Sequence, residues 1–413
     1  MKYRLVHSDV LAALRALPDR SAQCVVTSPP YWGLRDYGLP PSIWLPADLR
    51  DCPEPICTDG HEWGDRIRHK GGAGTQGATS QRVGRQNVAA QERQRDGGSF
   101  CVLCGAWRGC LGLEPTPELF VEHIVAVFRE VRRILRDDGT LWINLGDSYN
   151  AYNGGAGPSS IISAGAQTTA RPQLESGYRL KCKDLKPKDL IGIPWMVAFA
   201  LRADGWYLRS EIIWHKPNPM PESVTDRPTK AHEQMFLLAK SAKYFYDADA
   251  IKEPASWLGP NGPAKKGSPS EQNFYRICGK NPKGNAKTFR GGGAYTNNRS
   301  FDNSADVDRD SHGNAPNEDL TRNKRSVWTI ATEPFPEAHF ATFPRALVEP
   351  CILAGSKAGD LVLDPFSGSG TVGVVALGLL RDYLGIELNP EYLAMSRRRL
   401  EGVAPMFAQE VAG

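Results

Sequence analysis

The chain has 413 residues, of which 41% are hydrophobic, and carries 50 Lys and Arg against 46 Asp and Glu for a formal net charge of +4. That length exceeds one ordinary compact domain and implies two or three units, or one domain with large insertions, while the apolar share and 10 Trp imply a real core. A balance this close to neutral gives by itself no argument for a nucleic-acid partner. Nine cysteines, no export signal at Met1-Lys2-Tyr3 and no apolar run of bilayer length lead to the expectation of a cytoplasmic protein with no membrane association.

In chain order, the opening residues predict a short helix with Val10, Leu11, Leu14 and Leu17 on one face, a stop at Pro18-Asp19, and a strand through Cys24, Val25 and Val26 to Ser28. From about Leu45 to Leu113 the periodicity is lost to Gly, Arg, Gln and Asp, which marks an insertion. Thr116 then caps a helix carrying Phe120, Ile124, Val127, Phe128, Val131 and Leu135, which stops at Asp138-Gly139 before a strand from Thr140 to Leu145. After a loop from about Ser148 to Pro187, DLIGIPWMVAFALRADGWYLRSEIIWHKPN repeats helix, glycine and strand, and HEQMFLLAKSAKYFYD adds a further apolar strand with a hairpin as one option. Residues 251 to 323 are irregular again. The last segment reads helix, strand (Leu361 to Leu363), glycine turn, helix, strand (Tyr383 to Ile386), helix. Alternation of this kind predicts an α/β fold with a parallel sheet and helices on its faces.

Charge is distributed unevenly. Arg66 to Arg95 holds seven basic residues against one acid and Ala255 to Ser300 eight against one, with an acidic stretch from Phe301 to Leu320 after them. Basic inserts in a nearly neutral chain suggest local contact with a polyanion, with solvated loops as the plainer alternative.

Two stretches carry chemistry. Thr27-Ser28-Pro29-Pro30-Tyr31-Trp32 leaves the carboxyl end of a strand, where open α/β sheets bind ligands, and its paired prolines admit neither ladder nor helix. The turn therefore holds a hydroxyl, free carbonyls and flat aromatic faces in fixed positions. Far downstream, strand LVLD, turn PFSGSG and helix TVGVVALGLL place Gly368, Gly370 and Gly373 as a formal GxGxxG, with Glu387 at the end of the next strand, suited to ribose hydroxyls. Only about forty residues follow, so the other strands come from earlier in the chain and the order is permuted relative to a dinucleotide domain. No Lys and hydroxyl follow the glycines, which excludes a P-loop.

TSPPY, DPFSGSGT and GIELNPEY together resemble the permuted, beta-class amino-group DNA methyltransferases, which methylate cytosine N4 or adenine N6. The resemblance spans most of the chain outside the two inserts. It implies a circularly permuted, Rossmann-like S-adenosylmethionine-dependent sheet with large irregular inserts. Catalysis then falls to Ser28, Pro29, Pro30 and Tyr31: the Ser28 side chain and Pro29 carbonyl accept from the target amine, and Tyr31 stacks on a base swung out of the duplex. Trp214, His215 and Lys216 are implied to line the base pocket, with a surface strand end as the alternative for His215, and Trp32 is either a second wall of that pocket or core. The cofactor is implied to meet Asp364 at its methionine amino group, Phe366, Gly368 and Gly370 alongside, and Glu387 at the ribose, with Pro365 and Thr371 completing the set. Ser28 favours cytosine N4, because the adenine enzymes more often carry Asp or Asn there; adenine N6 is the alternative. Further expectations are double-stranded DNA as substrate, a cognate restriction endonuclease as companion, a bacterial or phage source, and a monomer or homodimer.

The provisional domains are 1–44 and 114–250 with 326–413 as the methyltransferase that the resemblance covers, and two inserts marked by lost periodicity, 45–113 as a basic lobe and 251–325 as a target-recognition region. In the lobe, the knuckle Cys101-x-x-Cys104 with Cys57 and His61 upstream has the pattern of a structural zinc site, for which Cys52, His69 and Cys110 are spare ligands; free cysteines in a reducing cytosol are the alternative. Pro350-Cys351, the dipeptide that carbon-5 cytosine methyltransferases use as nucleophile, lies on an apolar helix and reads as core. A non-catalytic zinc and DNA binding module, or methylation of RNA or of a small amine, are the competing functions.

Overall fold

The computed structural model describes residues 1–33, 39–49, 57, 60–65, 68–69, 95–96, 98–150, 185–254, 321–333, 343–403 and 409–410. The chain divides into two compact units, one of residues 1–250 and 325–413, the other of residues 251–324. In the smaller unit β11 (Glu253–Pro254) pairs antiparallel with β12 (Thr321–Arg322), and Arg322 Nε donates to Glu253 Oε1 at 2.9 Å. Most of the expected target-recognition region lies outside the described residues.

The larger unit opens with β1 (Lys2–His7), α1 (Val10–Arg15) and β2 (Ala22–Thr27). Short strands follow: β3 (Ser42–Trp44), β4 (Arg68–His69), β5 (Arg95–Asp96), β6 (Ser99–Phe100) and β7 (Trp107–Gly109). Then come α2 (Pro117–Ile134), β8 (Leu135–Leu145), α3 (Ile193–Ala203), β9 (Tyr207–His215) and β10 (His232–Ala239). After the smaller unit the chain completes β13 (Val327–Thr329), α4 (Arg345–Gly355), β14 (Leu361–Asp364), α5 (Thr371–Gly378), β15 (Asp382–Glu387), α6 (Pro390–Val403) and β16 (Gln409–Glu410). None of the described helices is long and apolar enough to cross a membrane.

Local chemistry starts the helices. Asp9 accepts from the amides of Leu11 and Ala12 at the head of α1, and Thr116 accepts from Leu119 N ahead of Pro117 in α2. The apolar face of α2, from Phe120 through Val131, is buried as its spacing predicts. Its end differs from the sequence reading: the helix stops at Ile134, and Leu135 already pairs with Ala22 of β2. Lys240 Nζ donates to Leu135 O at 2.6 Å and Gly139 sits in the gap. A Cβ there would come within 3.0 Å of Gln23 O, so sheet pairing overrides helix propensity across this turn.

The main sheet runs β13-β9-β10-β8-β2-β14-β15-β1-β16. Among its strands β10 alone is reversed, antiparallel to both β8 and β9, so the sheet is mixed rather than parallel throughout. The sequence reading also missed β1, which pairs in parallel with β15 from Tyr3 opposite Tyr383 to His7 opposite Glu387. Strands from the last part of the chain thus lie between strands from the first, with Leu363 of β14 opposite Val25 of β2.

Helices cover both faces. Val25 packs in the core that includes Leu14, Phe120, Val127 and Val197 of α1 to α3, whereas Cys24, one residue earlier and so on the other face, points its Sγ at Cys351 O of α4, 3.9 Å away. Helix α4 sits close: a Cβ on Gly355 would lie 2.6 Å from Thr140 Oγ1 and 2.7 Å from Cys24 Sγ. Cys351 is fully buried in this layer.

A candidate active site where two strand ends meet

Parallel pairing brings the carboxyl ends of β2 and β14 side by side. There Thr27 Oγ1 donates to Asp364 Oδ1 at 2.7 Å, joining residues 337 positions apart, and both side chains are buried. The Phe366 amide also donates to Asp364 Oδ1, at 3.0 Å. Burial pushes the Asp364 carboxyl up to about 7, against the pull of these two donors. Glu387, at the end of β15, is likewise raised by burial, while its oxygens accept from Asn389 N and Gly368 N, each at 2.7 Å.

A cleft of about 410 Å³ opens above this junction. Ser28, Pro29, Pro30 and Tyr31 line one side, and Pro365, Phe366, Gly368, Thr371 and Glu387 the other. The glycines of the turn divide their roles. Gly368, at φ +52°, would meet nothing nearer than 3.9 Å with an added Cβ, so its open side is available to a ligand. Gly370, at φ +77°, is not among the lining residues; a Cβ there would strike Ser396 Oγ of α6 at 2.4 Å. Gly373 would strike Tyr383 at 2.5 Å. Packing against α6 and β15 alone therefore requires glycine at both positions.

The first loop is held in equal detail. Tyr31 lays its ring over Gly146, where a Cβ would sit 2.4 Å from the ring. Its hydroxyl lies 2.9 Å from Asn144 Oδ1 and 2.8 Å from Glu233 Oε2, and its single hydrogen serves one of them at a time. Asn144 Nδ2 donates to Gln234 O at 3.1 Å, which turns Oδ1 toward the cleft. Ser28 Oγ is 3.4 Å from both Tyr31 Oη and Asn144 Oδ1, long contacts that leave its lone pairs open to another partner. Glu233 pairs with Lys216, whose Nζ stands 4.3 Å from the centre of the Trp214 ring.

Trp214 and Lys216 therefore line the cleft, but two of their expected companions do not. His215, between them on β9, points to the opposite face and meets Thr329 Oγ1 at 3.2 Å, as strand alternation requires. Trp32 is buried and donates from Nε1 to Glu114 O at 3.0 Å, a core contact under the loop rather than a pocket wall. Asn144, Gly146 and Glu233 were not found from the sequence. Asn144 had a signal, an amide within the apolar strand LWINL. Glu233 had none, since only the register that sets it opposite Trp214 brings it to the cleft.

Outside the cleft, Cys57, His61, Cys101 and Cys104 come together with their ligand atoms within 4.8 Å of one another. Cys110 is elsewhere, its Sγ 3.3 Å from Leu39 O, and Cys52 and the His69 side chain lie outside the described residues.

A mixed α/β sheet with one reversed strand, carboxylates at the ends of β14 and β15 and a glycine turn between them has the build of a Rossmann-like methyltransferase. Residues 22–398 match the family model described as DNA methylase, of the N6 and N4 amino group, and the chain belongs to that family. It is 37% identical over 398 residues to the type II methyltransferase M.Cfr9I of Citrobacter freundii, covering 96% of this chain and 87% of that protein. Similarity to the type II methyltransferase M.SmaI of Serratia marcescens is 36% over 397 residues, covering 96% and 90%. Among solved structures, the cytosine-N4-specific PvuII DNA methyltransferase overlays with a TM-score of 0.46 at 14% identity, covering 99% of this chain and 95% of that one.

Proposed function

We propose that this DNA methylase transfers a methyl group from S-adenosylmethionine to the exocyclic N4 amine of a cytosine in a specific duplex DNA sequence, beside a cognate endonuclease of a type II system. The observation that carries the reading is the Thr27–Asp364 hydrogen bond, which makes the SPPY loop and the glycine turn two walls of one cleft. The residues on the second wall fit the cofactor: Gly368 leaves an open cradle and Glu387 is a carboxylate suited to ribose hydroxyls, while Asp364, a buried carboxyl behind the lining residues Pro365 and Phe366, is of the charge that suits an ammonium. S-adenosylmethionine supplies an electrophilic methyl group on a sulfonium.

The chain's own residues deal with the amine. Its lone pair is delocalised into the ring, and acceptors on its hydrogens localise that pair. In this reading Ser28 Oγ and the Pro29 carbonyl take that part, on a backbone that paired prolines stiffen in advance. Tyr31, held by Gly146 beneath and by Asn144 and Glu233 at its hydroxyl, offers its face to a base leaving the stack, an extrusion that costs a few kcal/mol. Transfer is direct, so positioning carries most of the rate. Ser28 favours cytosine over adenine N6.

Digestion of DNA treated with enzyme and cofactor, followed by mass spectrometry of the nucleosides, tests the proposal. N4-methylcytosine is the expected product. N6-methyladenine overturns the choice of base, and neither product on varied DNA overturns the function.

A further inference from the structure

The cysteine and histidine cluster has no part in methyl transfer, and its geometry is that of a metal site. Cys57 Sγ lies 3.8 Å from Cys101 Sγ, and Cys104 Sγ lies 3.4 Å from His61 Nδ1. A tetrahedral zinc with Zn–S of about 2.3 Å and Zn–N of about 2.0 to 2.1 Å has S···S edges of about 3.8 Å and S···N edges of about 3.6 Å. Both separations therefore match the edges of one coordination tetrahedron, drawn from residues more than forty positions apart.

The backbone around the ligands is shaped to the same end. Cys101 to Gly105 forms a tight knuckle: Gly105, at φ +73°, donates from N to Cys101 O at 2.9 Å, and Cys101 N donates to Ala106 O at 2.7 Å. A second turn carries the other two ligands, with Gly60 at φ +102° donating to Cys57 O at 3.2 Å ahead of His61. The two turns are laced together by Val102 N to Glu62 O and Gly64 N to Phe100 O, each 2.9 Å, around the bridge between Trp63 and Cys101.

We infer that this insert binds one structural zinc ion through Cys57, His61, Cys101 and Cys104. Three thiolates and one imidazole fill the coordination sphere, leave no position for a substrate, and select zinc over the harder divalent cations. The ion closes a loop of 44 residues from Cys57 to Cys101. It thereby fixes the strands β6 and β7 on either side of the knuckle. From β7 the chain runs directly into Gly112, whose carbonyl accepts from Gly33 N at 2.8 Å, and Glu114, whose carbonyl accepts from Trp32. The site thus anchors the segment on which the back of the SPPY loop rests, independently of which base is methylated.

The test uses the full chain purified without chelators. Elemental analysis by plasma mass spectrometry is expected to give one zinc per chain. Growth with cobalt in place of zinc is expected to give visible d–d bands of tetrahedral intensity with thiolate charge transfer. Cys104→Ser should lose the metal, whereas Cys110→Ser should retain it. Should Cys104→Ser fail to fold, the cobalt spectrum of the unaltered chain still decides. Metal-free protein that remains folded, a Cys57–Cys101 disulfide found by peptide mapping, iron in place of zinc, or full metal content in Cys104→Ser each overturns the inference.

Discussion

If Asp364 receives the ammonium group of S-adenosylmethionine, cofactor affinity must follow the ionisation of a carboxyl that burial has pushed up to about 7. Below that value the folded protein holds a proton that the bound cation would displace, and affinity falls tenfold, or about 1.4 kcal/mol, for each pH unit. Affinity should therefore rise about fifteenfold between pH 5.5 and pH 7, then level off; the ligand's own amino group, ordinarily near 7.7 to 8.0, limits the upper end. Calorimetric titrations at pH 6, in two buffers of different ionisation enthalpy, should show close to one proton released on binding. Asp364→Asn should bind more weakly at pH 7 and lose most of this pH dependence, which separates Asp364 from Glu387, also raised by burial. A flat profile in the unaltered protein, or an unchanged slope in Asp364→Asn, refutes the assignment. The same shift acts on the free protein in the opposite sense to a salt-bridged acid. Asp364 releases its proton near 3.8 when unfolded and near 7 when folded, so its contribution to stability declines as pH rises through that window, by about 4 kcal/mol.

Ser28→Ala should lower kcat about 100-fold or more while leaving the cofactor Kd unchanged, as a methyl-transfer assay and calorimetry would show; lost cofactor affinity would refute the division of labour between the two walls. Gly146→Ala places a methyl 2.4 Å from the Tyr31 ring and should cost about 1 to 3 kcal/mol in thermal unfolding and most of the turnover. Turnover equal to the unaltered enzyme would show that Tyr31 does not need this pose. Glu114, pushed up to about 8 by burial, meets His123 Nδ1 at 2.9 Å and accepts from Gly112 N at 2.8 Å beneath the SPPY loop. Glu114→Ala, which leaves that amide without its acceptor, should cost about 1 to 3 kcal/mol in urea denaturation, and Glu114→Gln, which resembles the neutral acid, much less. Equal losses in the two variants would point to packing rather than hydrogen bonding.

Sequence periodicity located most of the large elements because each has a single repeating face. The buried face of α2 and the runs of β8, β10, β14 and β15 are legible in this way. It failed where a partner strand decides. Leu135 has helical spacing yet pairs with Ala22, and β10 is reversed because its neighbours β8 and β9 accept it antiparallel, which no local signal encodes. β1 was missed for a related reason: in KYRLVH the alternation of Lys2, Tyr3, Arg4 and Leu5 breaks at Val6 and only Tyr3 is buried, so its place beside β15 makes it a sheet strand.

The site divides along the same line. Proline pairs, left-handed glycines and strand-end acids have local causes, so Ser28 to Tyr31, Gly368 and Asp364 were readable as special positions. Direction was not readable. Whether a side chain reaches the cleft depends on strand parity for His215, on a turn that buries Trp32, and on α6 lying against Gly370. The sharpest case is the hydrogen bond from Thr27 to Asp364. Each residue alone is a polar group at the end of an apolar strand; buried together they satisfy one another, and the requirement that neither be left unpaired fixes the two strand ends in contact. The same requirement ties Trp32 Nε1 and Gly33 N to the carbonyls of Glu114 and Gly112 behind the loop. The SPPY turn is thus clamped from the sheet in front and, through the Gly112 carbonyl, from the insert behind, and the insert, which carries no recognisable periodicity, also brings Cys110, Leu111 and Leu113 to the lining of the cleft.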